Sequence, residues 1–359
     1  MGKAPSTDPA TTAGRVLEHV RAATGTFGPD ELILVACSGG ADSLALAAVA
    51  AHVPALGGPR VGALIVDHQL QARSAGTAAV AAEHCREMGL SPVLVLTVDV
   101  MSGPGNGGLE AAARSARRAA MTEAAAELGA SAVMLAHSLD DQAETVLLGL
   151  ARGSGSRSMA GMVARDGLWF RPLLGVRREE LREVVAQAGL IAHEDPHNVD
   201  HSFARVRVRS QAMPALREAL GESIATNLAR SAQLVRADVE ALDGWTQSEV
   251  VQRLSVLAGA DTGQSTTVLI DTIAPTPLRD LPAAIRTRVL RLAILAAGVP
   301  AGSLTADHLL RSDALLVSGS ATAAIRLPAD FQLRWVSDKL AVQSAGPMHQ
   351  RTHEPRSHQ

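Results

Sequence analysis

Tyrosine is absent from this 359-residue sequence, and aromatic residues of all kinds make up 2% of it. Base-stacking platforms are therefore few; Phe203, Trp169 and Phe170 are the ones that lie near other chemistry-bearing residues. Lysine is nearly absent too. Only Lys3 and Lys339 occur, and neither sits in the Gly-Lys-Ser/Thr setting through which a Walker loop reaches phosphates, which excludes a P-loop kinase or ATPase. Two cysteines, Cys37 and Cys85, cannot build a disulfide framework or a four-thiolate metal site, so a reducing cytoplasm is the expected location. No apolar run reaches the roughly 18 residues of a membrane span, and residues 1–14 lack the apolar core of a secretory signal. A net charge of −3 argues against nucleic-acid binding through bulk charge, while leaving room for a local basic surface made of arginine.

What is present is a 47% apolar, 19% charged chain, long enough for two domains and a sizeable core. Leu32–Ala36 is a short apolar run with Ile and Val, the profile of a strand buried on both faces. Ser38-Gly39-Gly40-Ala41-Asp42-Ser43 follows at once, and then an Ala/Leu/Val-rich helix over Leu44–Ala51. A strand, a glycine turn and a helix start together favour an anion: open amides point outward, the helix dipole adds positive charge, and glycine admits a phosphate closely. Ser38 and Ser43 can donate to the same oxygens and Asp42 can hold a magnesium ion, although a tight turn with two serine caps uses the same residues. Further strands are expected over Val61–Val66, Val93–Val98 and Val133–Ala136, alternating with helices over Arg15–Ala23, Ala75–Met88 and Leu109–Leu128. This alternation implies a doubly wound parallel sheet in an α/β fold, whose ligands lie beyond the carboxyl ends of the strands. Ser38, Asp67, Asp99 and His137 all fall there.

Composition changes near Pro214–Gly221. Beyond it the pattern predicts a long helix to about Val250, an irregular stretch to Thr276, helices over Pro282–Ala297 and Ala306–Val317, and a hairpin of Ala321–Leu327 with Gln332–Val342. The expected division is an N-terminal extension (1–28), a catalytic domain (29–215), a smaller, mostly helical domain (216–343) and a disordered tail (344–359).

Three constellations can carry chemistry. In His137-Ser-Leu-Asp140-Asp141-Gln-Ala-Glu144, a helix beginning near Ser138 puts Asp141 and Glu144 on one face. Ser138-x-x-Asp141 also reads as a capping box, but three carboxylates exceed what a cap requires. Arg114 and Arg117 lie one helical turn apart after Glu110, either as a solvated face or as a guanidinium fork on phosphate or carboxylate. Phe203-Ala-Arg205-Val-Arg207-Val-Arg209 follows Asp195 and Asn198; as a strand it alternates, and as a helix it puts Arg205 and Arg209 on one face. Either arrangement suits an RNA or phosphate edge, as well as a solvated one.

Taken together these residues resemble the tRNA(Ile)-lysidine synthetase family, a branch of the pyrophosphate-loop ATP pyrophosphatases. Ser38–Ser43 matches the family's pyrophosphate loop, Val66-Asp67-His68-Gln-Leu70 its Val-Asp-His-x-Leu element, and Glu110–Arg117 its Arg-bearing helix. His137–Thr145, Arg152-Gly-x-Gly155, Gly161-Met162, Arg171–Leu174, Glu194-Asp-Pro196, Asn198, Asp200, Phe203 and Arg205 continue in order, and Arg286–Arg291 resembles part of the small second domain. The chain departs from the pattern at Arg118, Ser138 and Val206, where the family has Tyr, His and Asn. It also ends without the additional C-terminal domain of longer members, from which reduced or different acceptor-stem recognition is expected.

The resemblance implies an ATP- and Mg2+-dependent ligase that joins L-lysine to the wobble cytidine of tRNA(Ile) with a CAU anticodon. On that basis ATP is assigned to Ser38, Gly39, Gly40, Ala41, Asp42, Ser43 and Asp67, and magnesium to Asp42 and Asp141. L-Lysine is assigned to Asp141, Glu144 and Arg114; catalysis to Asp42, His137, Asp141, Glu144, Arg117 and Arg205, with His137 taking a proton from the amine; and tRNA to Phe203, Arg205 and Arg209. A homodimer is the family's expectation. Among the rivals, a tRNA thiolase needs catalytic cysteines that Cys37 and Cys85 do not resemble, and NAD or GMP synthetases lack the His137–Thr145 block. A non-catalytic RNA-binding relative is opposed by the intact Asp42, Asp141 and Glu144.

Overall fold

The computed structural model describes residues 6–69, 74–98, 109–153, 155–193, 199–257, 267–273 and 276–344, with side chains of 109–112 and 256–257 excepted. Asp99, the side chain of Glu110, the Glu194–Pro196 element, Asp195, Asn198 and the tail beyond Ser344 lie outside the described residues.

The chain forms two compact units, residues 1–152 with 158–233, and residues 153–157 with 234–359. In the first, α1 (Thr12–Thr24), β1 (Leu32–Ala36), α2 (Ala41–Ala50), β2 (Arg60–Asp67), α3 (Ser74–Glu87), β3 (Val93–Thr97), α4 (Leu109–Glu127) and β4 (Ala132–Met134) alternate as the sequence predicts. Then come α5 (Leu139–Ala151), α6 (Ser156–Met159), β5 (Arg165–Asp166), β6 (Trp169–Phe170), α7 (Arg178–Gln187), α8 (Ala204–Arg207) and α9 (Met213–Leu220). The sheet order is β3-β2-β1-β4-β6-β5. Its pairings are parallel except for the short edge strand β5, which runs antiparallel to β6.

Both faces of this sheet are covered, which explains the unbroken apolar runs. Ile33, Val35, Val61, Ala63 and Ile65 face a core shared with Val16, Leu17 and Val20 of α1 and with α2, α3 and α7. Leu32, Leu34 and Leu64 face the opposite way, against Met121, Ala124 and Ala125 of α4 and Trp169. Helix α1 therefore closes one face of the sheet, although in sequence it reads as part of an extension. The strand order reverses between β2 and β4 on either side of β1, so the carboxyl ends of β1 and β4 flank the crevice where doubly wound sheets bind ligands.

Helix α10 (Ile224–Arg253) leads into the second unit, followed by β7 (Leu254–Leu257), β8 (Thr267–Asp271), α11 (Ala283–Ala296), α12 (Ala306–Ser318), β9 (Ala324–Leu327), β10 (Phe331–Val336) and β11 (Lys339–Ser344). The expected helices form here, and the expected hairpin is part of a five-stranded antiparallel sheet ordered β7-β8-β11-β10-β9. Gln332–Val342, read as one strand, is two: Ser337 takes the left-handed conformation, φ 56°, and turns the chain between Val336 and Lys339 with no Gly or Asn to signal it. Val289, Leu290, Ala293 and Ile294 of α11 pack with Val268, Ile270, Leu333 and Leu340 of the sheet in a core of their own.

Candidate active site

The glycine turn sits at the carboxyl end of β1. Gly39 has φ 80°, and a Cβ there would come 3.3 Å from the Ala81 side chain, so both backbone conformation and space call for glycine. Gly40 caps α2 without any side-chain hydrogen bond, leaving the helix's first amides to an incoming acceptor. Ser43 Oγ donates to the Gly40 carbonyl at 2.9 Å and accepts from the Ser38 amide at 3.2 Å, which pins the two arms of the turn together. The His193 amide, from the segment that follows α7, donates to the Gly39 carbonyl at 2.9 Å and ties the turn to it. Asp67, buried at the end of β2, accepts from the Gln69 amide at 3.0 Å.

Across the crevice, β4 runs into His137 and α5. Ser138 caps α5 and makes the full box expected from the sequence: Asp141 N donates to Ser138 Oγ at 3.3 Å, and Ser138 N donates to Asp141 Oδ2 at 2.9 Å. The box uses one Asp141 oxygen. The other accepts from Arg178 at 2.8 Å, Arg209 at 3.1 Å and Arg205 at 3.2 Å. Glu144, 1% exposed, accepts from the same three arginines at 2.9–3.1 Å. Asp140 accepts from Arg217 at 2.9 Å and from the Arg178 amide at 2.8 Å, while Arg178 Nε lies 3.6 Å from Asp42. Asp42, Asp140, Asp141 and Glu144 thus meet Arg178, Arg205, Arg209 and Arg217 in equal number, as burial of charge demands.

This arrangement sets the protonation states. Burial works to raise the Asp141 pKa, but Arg178, Arg205, the Ser138 amide and Arg209 outweigh it and hold the carboxyl at about 2. Burial pushes the Asp42 carboxyl up; Arg178 pulls against this, and the charge of Asp141 adds to it. Arg178, opposed by burial, is raised by Asp141, Glu144 and Asp42 and stays charged. His137 is brought down to about 4 by burial first, then by Arg171, Arg205 and Arg114, and is a neutral imidazole at pH 7. The proton-accepting role expected for His137 on its ordinary near-neutral pKa loses its basis: so weak a base does not take a proton from an ammonium of ordinary pKa near 10.4.

The helical reading of Phe203–Arg209 holds. Phe203 caps α8, and the chain continues through a wide turn, Val208–Ala212, that carries Arg209 around to join Arg205 on the carboxylates. Both side chains are thus turned inward, 35% exposed, rather than laid along an outer edge. Arg117 donates to His68 Nε2 at 2.9 Å, and Arg114 is exposed one turn before it. Arg178, which no motif singled out, makes the most buried contacts of the cluster, with its side chain 13% exposed.

Among the described residues no group of three or more His, Cys, Asp or Glu could hold a metal ion. Magnesium characteristically takes one or two protein carboxylates and completes its shell with water and substrate phosphates. Asp42, raised by burial and by its neighbour Asp141, fits that sparse donor set, and a cation beside the pair would relieve both effects.

A family profile for the PP-loop domain matches residues 12–216, and one for the TilS substrate binding domain matches residues 276–340. The chain is 45% identical over 309 residues to the tRNA(Ile)-lysidine synthase of Thermobifida fusca, covering 86% of this chain and 90% of that one. It is 44% identical over 315 residues to the protein of the same name from Streptomyces coelicolor, covering 87% and 85%. In fold it is similar to the U34-tRNA thiolase NcsA of Methanococcus maripaludis, with a TM-score of 0.54 and 15% identity over 63% of this chain and 80% of that one. No helix among the described residues is long and apolar enough to cross a membrane. On the first two likenesses, each spanning most of both chains, the chain belongs to the tRNA(Ile)-lysidine synthase family.

Proposed function

We propose that this chain is an ATP-dependent ligase that joins L-lysine to C2 of the wobble cytidine in tRNA(Ile) with a CAU anticodon, in a reducing cytoplasm. The observation that carries the proposal is the facing of an open glycine turn and a buried carboxylate–arginine cluster across the topological switch point of the sheet. In the first half-reaction the cytidine O2 attacks the α-phosphorus of ATP and pyrophosphate leaves. In the second, the lysine ε-ammonium gives up a proton to solvent, its nitrogen lone pair attacks C2, the C2–O2 bond breaks, and AMP departs carrying that oxygen. Neither step needs a protein nucleophile; both need positioning and neutralisation of charge.

The Ser38–Ser43 turn and the start of α2 cradle the triphosphate, and Asp67 borders the nucleotide. Asp42 and Asp141 would hold Mg2+, which would supply neutralisation of phosphate charge there. Asp141 and Glu144 receive the lysine ammonium once Arg205 and Arg209 withdraw; these two are 35% exposed, against 13% for Arg178, and so are the ones free to leave. Arg205, so released, and Arg117 serve the α-phosphate, and Arg114 the lysine carboxylate. His137 acts as a neutral hydrogen-bonding group, and Phe203 and Arg209 border the tRNA.

The test is transfer of radiolabelled L-lysine to a tRNA(Ile) CAU transcript, with and without ATP, by the wild type and by Asp42→Ala. Label that needs ATP and is lost in the variant supports both reaction and site. A folded, ATP-binding wild type that transfers no label refutes the lysine assignment.

A further inference from the structure

Arg118 lies on α4, directly after Arg117. Its guanidinium lies on the face of Trp169, 4.6 Å from the ring centroid, and Trp169 is 9% exposed. The tryptophan face that the sequence offers as a base platform is therefore covered by the chain's own arginine. One turn earlier on α4 stands Arg114. Directly after β6 comes Arg171, 8% exposed, which spends one N–H on the Val163 carbonyl at 2.9 Å and leaves its buried Nε with no hydrogen-bond partner. A guanidinium has five N–H donors, so most of the donor capacity of Arg171 is unused. Burial, and then the like charges of Arg118 and Arg114, lower the Arg171 pKa, with Asp166 alone opposing them. The arginines of the carboxylate cluster face acids, whereas Arg171 feels two like charges against the one carboxylate of Asp166.

We propose that Arg118 and Arg171 form an anion subsite for a phosphate oxyanion, with Trp169 holding the Arg118 guanidinium flat so that its outer face and edge meet the ligand. This deepens the proposed function and rests on it for the two sources of phosphate, the RNA backbone and ATP. Trp169 is the reason Arg118 is preorganised: a guanidinium packed on an indole has already lost most of its side-chain freedom before the ligand arrives.

The experiment measures equilibrium binding of tRNA(Ile) CAU transcript and, separately, of ATP with Mg2+, by the full chain across a salt series. It compares the wild type with Arg118→Tyr, Arg118→Lys and Arg118→Glu, each checked for folding by circular dichroism. An RNA phosphate is indicated if Arg118→Tyr weakens RNA binding by about fivefold and lowers the slope of log K against log salt by about one, with Arg118→Lys restoring part of both and ATP affinity unchanged. Loss confined to the ATP arm assigns the oxyanion to the nucleotide. If folded Arg118→Glu binds both ligands as the wild type does, the subsite is overturned, as it is if the wild type binds neither. A wild type that binds both yet transfers no lysine refutes the proposed reaction and leaves the subsite standing.

Discussion

Asp141 and His137 couple the site to acid stability, in two separate windows. The Asp141 carboxyl sits at about 2, below its ordinary 3.8. The unfolded chain therefore takes up that proton first: the stabilisation is complete above pH 3.8 and is lost as pH falls toward 2. His137, at about 4 instead of 6.5, has the same sign in a higher window: stability is complete above pH 6.5 and falls as pH drops toward 4, because the unfolded imidazole charges while the folded one does not. The raised Asp42 works in the opposite sense and softens the loss. Melting temperatures of the wild type between pH 7 and 4.5 are expected to fall more steeply than those of His137→Gln; equal slopes would refute the assignment. At this scale the sequence makes Asp141 and Glu144 legible through their helical spacing, but not their partners. Arg178 stands at the first position of α7, where a helix start favours a carboxylate and disfavours a cation. That mismatch is the one local sign that it has a distant partner, and it is easily lost in the mixed charges of Arg177-Arg178-Glu179-Glu180. Arg205 and Arg209 are visible as a pair, yet their inward turn depends on the wide turn at Val208–Ala212, for which no sequence pattern is diagnostic.

Among the elements, the turn between β1 and α2 is the most constrained. A side chain at Gly39 must adopt a left-handed conformation, which costs roughly 1–2 kcal/mol, and must also press on Ala81. Gly40 has φ −75°, and a Cβ there meets Ser38 Oγ at 3.6 Å and the His193 carbonyl oxygen at 3.9 Å, both ordinary contacts. Gly39→Ala is therefore expected to lower the melting temperature by several degrees while Gly40→Ala changes it little; the opposite ranking would show that the turn is held differently. Strands β1–β4 and helices α1–α5 of the first unit are legible, because a strand buried on both faces and a helix of period 3.6 leave distinct marks, whereas α7 and α9 are not read from the sequence. The two-residue strands β5 and β6 leave none; β7 pairs with its neighbour β8, and β8 is fixed on its other side by β11, far along the chain. Non-local pairing decides such strands, and a single sequence does not display it.

Among the described residues each unit has buried cores of its own, on both faces of the parallel sheet in the first and on the antiparallel sheet in the second. Calorimetry is expected to resolve two transitions, with ATP raising only that of the unit holding the glycine turn, by up to about 2.7 kcal/mol at a hundredfold excess over Kd. A uniform shift of a single transition would show that the units melt as one. The division of charge over the chain carries a chemical consequence. Against 33 Lys and Arg in all, only Lys3 and Lys339 are lysines, and every cation paired within the carboxylate cluster is a guanidinium. A guanidinium keeps its proton under all physiological conditions and carries no free lone pair with which to attack carbon. A ring of arginines can therefore line a pocket that handles an electrophilic base and a free amine without offering a rival amine. The cluster can bind through charge without presenting a lysine amine of its own.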